Sequence, residues 1–400
     1  MQPRMQGGER LRVGLIGCGL IAQVAHLPNL RALPELYEVR ALCDLSAQST
    51  EFAARGFPDA RRFGCAEELL AEPLDAVFVL TTGDHAPLVV AAAQAGLHVF
   101  VEKPLCLSVA EGAEILRAAG HTGVHVMVGY VRRYYREYEE LVRRVQALDE
   151  LQLARITLWN PPPGLYVQHH DLLSIDATHP HAVAPDGAAS VVYPPRSDID
   201  PERLSELQSE DDRSVRQAIG EAASDPHLHR TYRFGLLDGF IHDFNAIRGV
   251  LGEPDELRFA DIRLPPGGLT AVMRFGEVEC LIVSANLPGI ARYVNELTFL
   301  SPSERLTLNL PYTYLRDVAP TLVTEGGSPG TAHAWRREET ISHEWPFRRE
   351  LVEFHAAITE GREPRTNAED GLRDVALATQ FVRCFTEHTP ICTPTDLGHG

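Results

Sequence analysis

Lys103 is the only lysine among the 37 lysines and arginines of this 400-residue sequence. Arginine keeps its proton in proteins, whereas lysine can lower its pKa and exchange one. A chain that otherwise uses arginine for positive charge therefore retains a single exchangeable ammonium. A second candidate is the pair Asp238-x-x-x-His242. On a helix, four-residue spacing puts both side chains on one face, where a carboxylate can orient an imidazole and stabilise its protonated form. By spacing alone, the pair reads more readily as a helix-surface ion pair, or as a buried histidine satisfied by its neighbour. A third is Gly17-Cys-Gly19-Leu20-Ile21-Ala22, a glycine turn of the kind that lets backbone approach a phosphate.

The surrounding segments say where these residues must lie. Apolar runs at 11–17, 39–44, 75–81, 98–102 and 124–129 read as strands. Helix-compatible stretches at 23–33, 85–95 and 108–119 alternate with them, the last opening on a Ser108/Glu111 capping box. This alternation predicts an α/β domain with a doubly wound parallel sheet, a Rossmann domain, over residues 11–130. The glycine turn then follows a strand, opens a helix and precedes Asp44 at the end of the next strand. Gly17 permits the tight turn, Gly19 the close approach, and Ala22 the helix–strand packing. Asp44 can accept from both ribose hydroxyls and would repel a 2′-phosphate, so the expected cofactor is NAD rather than NADP. The alternative, a tight turn with no ligand, does not account for the acid. Lys103 directly follows the fourth strand, and ligands bind at the carboxyl ends of parallel strands. Pro104 fixes the backbone after it, and a cis bond is allowed there.

Leu236, Leu237, Phe240, Ile241, Phe244, Ile247 and Leu251 give residues 235–251 a helical period. Residues 132–148 read as an amphipathic helix, with Arg132-Arg-Tyr-Tyr-Arg136 on a solvated face balanced by Glu137, Glu139 and Glu140. Strand-like runs at 153–159, 255–264, 269–275, 278–287, 293–300 and 305–310 read, with helices, as an α+β second domain over 131–400. Closing helices are expected at 350–359 and 367–386, with Thr366/Glu369 as a capping box. Residues 161–230 form a long stretch poor in strand signal that opens on three prolines and is acidic and helical at 201–224. Long excursions of this kind serve as lids or interface arms, so part of it is expected over the cleft or on a neighbouring subunit. Its histidines (169, 170, 179, 181, 227 and 229) define no ligand set, and no metal is expected.

Taken together, these segments resemble the glucose–fructose oxidoreductase / inositol dehydrogenase / rhizopine-catabolism (Gfo/Idh/MocA) family. The resemblance rests on His85 through Gly96-Leu-His-Val-Phe-Val-Glu-Lys-Pro104 and on Val128-Gly-Tyr-Val-Arg-Arg133-Tyr134. It also rests on Leu237-Asp238 through Arg248 with Gly252, and on 349–358 with Glu369-Asp370-Gly371. In the inositol dehydrogenase branch, the lysine of Glu-Lys-Pro and an Asp-x-x-x-His pair form the catalytic set, which implies Lys103, Asp238 and His242. The implied reaction is hydride transfer between a secondary alcohol of a sugar, sugar derivative or cyclitol and the nicotinamide. His242 would take the hydroxyl proton, Asp238 would hold the histidine or a substrate hydroxyl, and Lys103 would donate to the reacting oxygen. Expected cofactor contacts are Gly17, Gly19, Leu20, Ile21, Ala22, Asp44, Thr81, Thr82, His85, Glu102 and Lys103. Expected substrate contacts are Lys103, Tyr130, Arg133, Asp238, His242 and Asn245. Asn245 stands where the family usually has an aspartate, and Gly239 is one position earlier than usual. Other readings are an enzyme that cleaves or eliminates glycosides through transient oxidation, and a non-catalytic NAD-binding sensor.

Composition excludes other classes. A net charge of −18 without a basic block argues against nucleic acid and anionic membranes as partners. No apolar run reaches the ~18 residues of a membrane span. The polar residues 1–10 read as a flexible tail without a signal peptide, and seven scattered cysteines suit a reducing cytoplasm. The family resemblance further implies that the second-domain sheet is open and mostly antiparallel, that 161–230 is an insertion longer than the family usually has there, and that the chain forms a homodimer or homotetramer through that sheet.

Overall fold

The computed structural model describes residues 10–167, 169–173, 197–263, 267–328 and 330–392. The expected tail up to residue 9, His179, His181 and residue 264 lie outside them.

The first domain is a six-stranded parallel sheet of β1 (Leu11–Ile16), β2 (Tyr37–Cys43), β3 (Arg61–Phe63), β4 (Ala76–Val79), β5 (His98–Glu102) and β6 (Val126–Gly129). Its order is β3-β2-β1-β4-β5-β6. β4 is buried along its whole length, which explains a continuous apolar run in place of alternation. β3 is three residues long and opens on two arginines, so no apolar run announces it. Helices α1 (Leu27–Arg31), α2 (Ala47–Ala54), α3 (Ala66–Leu70), α4 (Ala86–Gln94) and α5 (Val109–Thr122) connect the strands. The capping box on α5 is present: Ser108 Oγ accepts from Glu111 N–H, and the Glu111 carboxylate accepts from Ser108 N–H at 2.9 Å. The strand order reverses at β1, so the carboxyl ends of β1 and β4 open the crevice where ligands bind in such sheets.

The second domain is a nine-stranded sheet of β7 (Leu153–Asn160), β8 (Glu256–Arg263), β9 (Gly268–Phe275), β10 (Val278–Asn286), β11 (Val294–Leu300), β12 (Glu304–Asn309), β13 (Thr321–Gly327), β14 (Ala334–Glu339) and β15 (Ile391–Cys392). Its order is β14-β13-β12-β11-β7-β10-β9-β8-β15, and β7 with β10 is its one parallel pair among the described residues. One face, including Ile156, Leu158, Met273, Cys280 and Ile282, is buried. The other presents exposed Trp159, Phe259 and Val283. Helices α6 (Arg136–Gln146), α7 (Pro201–Ile219), α8 (Pro226–Arg230), α9 (Ile241–Leu251), α10 (Pro346–Glu360) and α11 (Ala368–Glu387) complete the domain.

Three local expectations are corrected. The stretch expected as one helix over 235–251 is a π-helix, Thr231–Phe240, running into α9. The apolar pairs 236–237 and 240–241 suit either pitch, so periodicity could not separate them, and π-turns recur at functional sites. The Arg132–Arg136 stretch is not a solvated face. It begins as a 3-10 turn, Arg132 is buried against Asp243, and fully buried Glu137 accepts the N–H groups of Ile341 and Ser342 at 2.7 and 2.8 Å. The cap of α11 is Asn367, not Thr366, whose buried hydroxyl donates to Val128 O at 2.7 Å.

Candidate active site

The glycine turn at the end of β1 is shaped for close approach. Gly17 has φ 97°, and a Cβ there would lie 2.7 Å from the Leu80 carbonyl carbon and the Thr81 nitrogen. Only glycine lets the turn pass this close to the end of β4. A Cβ on Gly19 would meet nothing within 4 Å, so its backbone faces open space. The N–H groups of Leu20 and Ile21 open the helix, where the first turn lacks intrahelical acceptors. Ala22 is fully buried. Asp44 is fixed at the end of β2 by two backbone donors: Cys18 N–H to Oδ2 at 2.7 Å and Ser46 N–H to Oδ1 at 2.8 Å. Thr81 Oγ1 is buried without a partner and Thr82 is exposed. An open glycine cradle, an anchored carboxylate and an orphaned hydroxyl in one crevice fit a dinucleotide.

Two expected cofactor contacts are committed elsewhere. The ring nitrogens of buried His85 lie 2.6 Å from Pro104 O and 2.8 Å from Thr81 O, tying the ends of β4 and β5 together. Glu102 is buried, with Oε1 2.7 Å from His26 Nε2, on the opposite side of the strand from Lys103. Both brace the strand ends.

Lys103 and Asp238 are brought together from 135 positions apart. Lys103 Nζ donates to Asp238 Oδ1 at 2.5 Å and to Asp238 O at 2.8 Å. The Lys103–Pro104 peptide is cis. The Asp238 side chain is 55% exposed at the cleft mouth, that of Lys103 17%. Desolvation by the surrounding wall raises the Asp238 pKa, but the charge and hydrogen bond of Lys103 outweigh it and hold the carboxyl low. His242 follows one turn later on the same face. Its ring is half-buried, its Nδ1 has no hydrogen-bond partner, and it meets the Tyr130 ring edge-on at 6.3 Å. Burial, then the charges of Lys103 and Arg132, push the His242 pKa well below its usual 6.5 and keep the ring neutral. Asp238 therefore pairs with the lysine, and the expected aspartate–histidine contact is not formed.

The remaining expected substrate contacts lie behind this group. Tyr130 is buried and backs the His242 ring. Asn245 is fully buried, and its amide donates to Asp370 Oδ2 and Asp374 Oδ2, both at 2.7 Å. Arg133 donates to Asp370 Oδ2 at 3.1 Å. These residues join Arg248, which donates to Asp374 Oδ1 at 2.6 Å, Glu253 Oε1 at 2.6 Å and Asp370 Oδ1 at 3.2 Å. Sequence reasoning assigned Arg248 and Asp370 no role, passed over Asp374 and placed Arg132 on a solvated face. The signal available was Asp370 and Asp374 one turn apart on one helix face, opposite an apolar helix carrying an arginine. Gly371 lets that helix sit close, since a Cβ there would be 2.9 Å from Val128.

The insertion docks on its own chain beside the glycine turn and the ends of β2 and β4. Leu173 N–H donates to Gln23 Oε1 at 2.9 Å, while Gln23 Nε2 donates to Cys18 O at 2.8 Å. Asp198 accepts from Ser46 and Gln48 at the start of α2. Asp211 on α7 accepts from Asp84 N–H at 2.9 Å, beside Thr81–Gly83. His170 reaches Tyr314 O at 2.8 Å, and among the described residues no group of three His, Cys, Asp or Glu could hold a metal. The described residues contain no helix long and apolar enough to cross a membrane.

Residues 11–130 match the model of an oxidoreductase family with an NAD-binding Rossmann fold, GFO_IDH_MocA. This domain is therefore similar to the Rossmann domains of the Gfo/Idh/MocA family. Curated proteins similar to this chain include the NADP-dependent scyllo-inositol 2-dehydrogenase of Bacillus subtilis, 34% identical over 32% of this chain and 36% of that protein. An inositol 2-dehydrogenase of Cereibacter sphaeroides is 37% identical over 40% of this chain and 46% of its own. The chain thus matches about half the length or less of these relatives. Beyond the matched domain, solved structures show the same fold. A 3-ketoreductase of Actinomadura kijaniata with NADP and TDP-benzene has TM-score 0.65 and 20% identity, covering 95% of this chain and 98% of that one. An oxidoreductase of Thermotoga maritima has TM-score 0.67 and 17% identity, over 96% of this chain and 98% of its own.

Proposed function

We propose that the protein is an NAD-linked dehydrogenase that moves hydride between a secondary alcohol of a sugar, sugar derivative or cyclitol and the nicotinamide. The observation that carries this reading is the group at the crevice: Lys103 bridged to Asp238 at 2.5 Å, with neutral His242 one turn on.

When bound, the cofactor supplies the hydride acceptor. The residues supply proton handling and charge. Lysine has three N–H donors, and two of those on Lys103 go to Asp238 Oδ1 and O. The third is aimed by this grip and donates to the reacting oxygen, stabilising the negative charge that develops there. His242, neutral at physiological pH, accepts the hydroxyl proton as general base and returns it in the reverse direction. Asp238 positions the lysine, and Tyr130 supports the imidazole from behind. Asp44 at the end of β2 favours NAD, because its carboxylate suits two ribose hydroxyls and repels a 2′-phosphate. The curated relatives that oxidise inositols support a polyol as substrate. The exposed Trp159, Phe259 and Val283 on the open sheet face support pairing of subunits there.

The test is a panel of cyclitols, sugars and sugar derivatives assayed for reduction of NAD and of NADP. Net NADH formation with at least one polyol, faster than NADPH formation, is expected. Cleavage of a glycoside without net NADH would replace this reading with the transient-oxidation one.

A further inference from the structure

The insertion places a second carboxylate beside Asp44, and the inference drawn from it rests on the reading of Asp44 as the ribose-binding acid. Asp44 ends β2, and two residues later Ser46 caps α2, accepting from Ser49 N–H at 3.1 Å. Asp198 reaches this point from the insertion. Ser46 Oγ donates to its Oδ1 at 2.9 Å and lies 3.1 Å from its Oδ2, and Gln48 N–H donates to Oδ2 at 3.0 Å. The desolvation cost to Asp198 is outweighed by these donors, so its pKa is lowered and it is charged at neutral pH.

A nucleotide whose ribose lies on Asp44 would direct a 2′-phosphate towards the same place. Accepting that phosphate needs donors or cations next to the acid. The donors here are the Ser46 hydroxyl and the first N–H groups of α2, a combination suited to an anion. Asp198 already occupies them with an anion of its own. A phosphate monoester carries nearly two negative charges at neutral pH, so it must displace Asp198 or sit against it. Further along the same segment, Asp211 on α7 accepts from Asp84 N–H at 2.9 Å, a second tie between the insertion and the first domain.

We propose that Asp198 is a second determinant of nucleotide choice: it fills, with a carboxylate from the insertion, the donors beside Asp44 that a 2′-phosphate would require. Nucleotide preference in this chain is thus set partly from outside the Rossmann domain.

Fluorescence titration of the full-length protein with NADH and NADPH tests this without knowledge of the substrate. The variants are Asp198→Asn, which keeps shape and removes charge, and Asp198→Ala, which frees the donors. The wild type is expected to bind NADH more tightly. In both variants the NADPH-to-NADH affinity ratio should rise about tenfold or more, the scale for removing one charge beside a partly solvated phosphate. If the wild type prefers NADH and neither variant moves the ratio, Asp198 is not a determinant, while the Asp44 reading stands. A wild type that prefers NADPH overturns both.

Discussion

The helical run through residues 231–251 carries two polar faces with opposite characters. Towards the cleft, Asp238 is 55% exposed and His242 has a buried Nδ1 with no partner. One turn further, Asn245 and Arg248 are buried and bound to Asp370, Asp374 and Glu253 by contacts of 2.6 to 3.2 Å. The first face keeps hydrogen-bonding capacity for something that arrives. The second uses that capacity on its own chain and so holds the helix against α11. Chemistry and scaffold are separated by a single turn.

The contrast can be broken from either side. Lys103→Met or His242→Ala should lower kcat by about a thousandfold or more, with NADH affinity and melting temperature little changed, because a positioned donor or base contributes on that scale. Calorimetric melting beside steady-state kinetics checks both halves. Arg248→Met should do the reverse. Leaving fully buried Asp374 without its cation should cost about 3–5 kcal/mol of stability, read by urea unfolding, and any loss of activity should follow the loss of folded protein. Asn245→Ala leaves two carboxylates short of a donor and should cost about 1–3 kcal/mol in the same assay. A substrate-specific KM change without loss of stability would instead return Asn245 to the cleft. The smallest effect is the position of a pH limb. The lowered His242 pKa means the base is neutral above it, so the acid limb of kcat/KM for alcohol oxidation should have its midpoint below 6.5.

Legibility in the sequence followed the range of the interaction. The glycine turn, Asp44 and the Ser108/Glu111 box are local, and each sits where its spacing put it. The parallel sheet was readable from apolar runs, except for β3, which has none. Lys103 was conspicuous by type, yet nothing local showed that Asp238 would engage it and not His242. That choice depends on how a π-turn presents residue 238 to a strand end 135 positions away. Arg132 and Glu137 looked like surface charges because their partners, Asp243 and the backbone at 341–342, are equally distant. The docking of the insertion likewise had no local signal, since it rests on single polar contacts from Leu173, Asp198 and Asp211.

The central claim is that Lys103 acts as a positioned ammonium donor and not merely as a positive charge. Lys103→Arg tests it most directly, with turnover of the best substrate from the polyol panel measured beside NADH affinity. A planar guanidinium cannot reproduce the grip of one nitrogen on both Asp238 oxygens while aiming a third N–H at the substrate. The account predicts turnover lowered at least about a hundredfold with NADH affinity retained. Turnover near that of the wild type would contradict it.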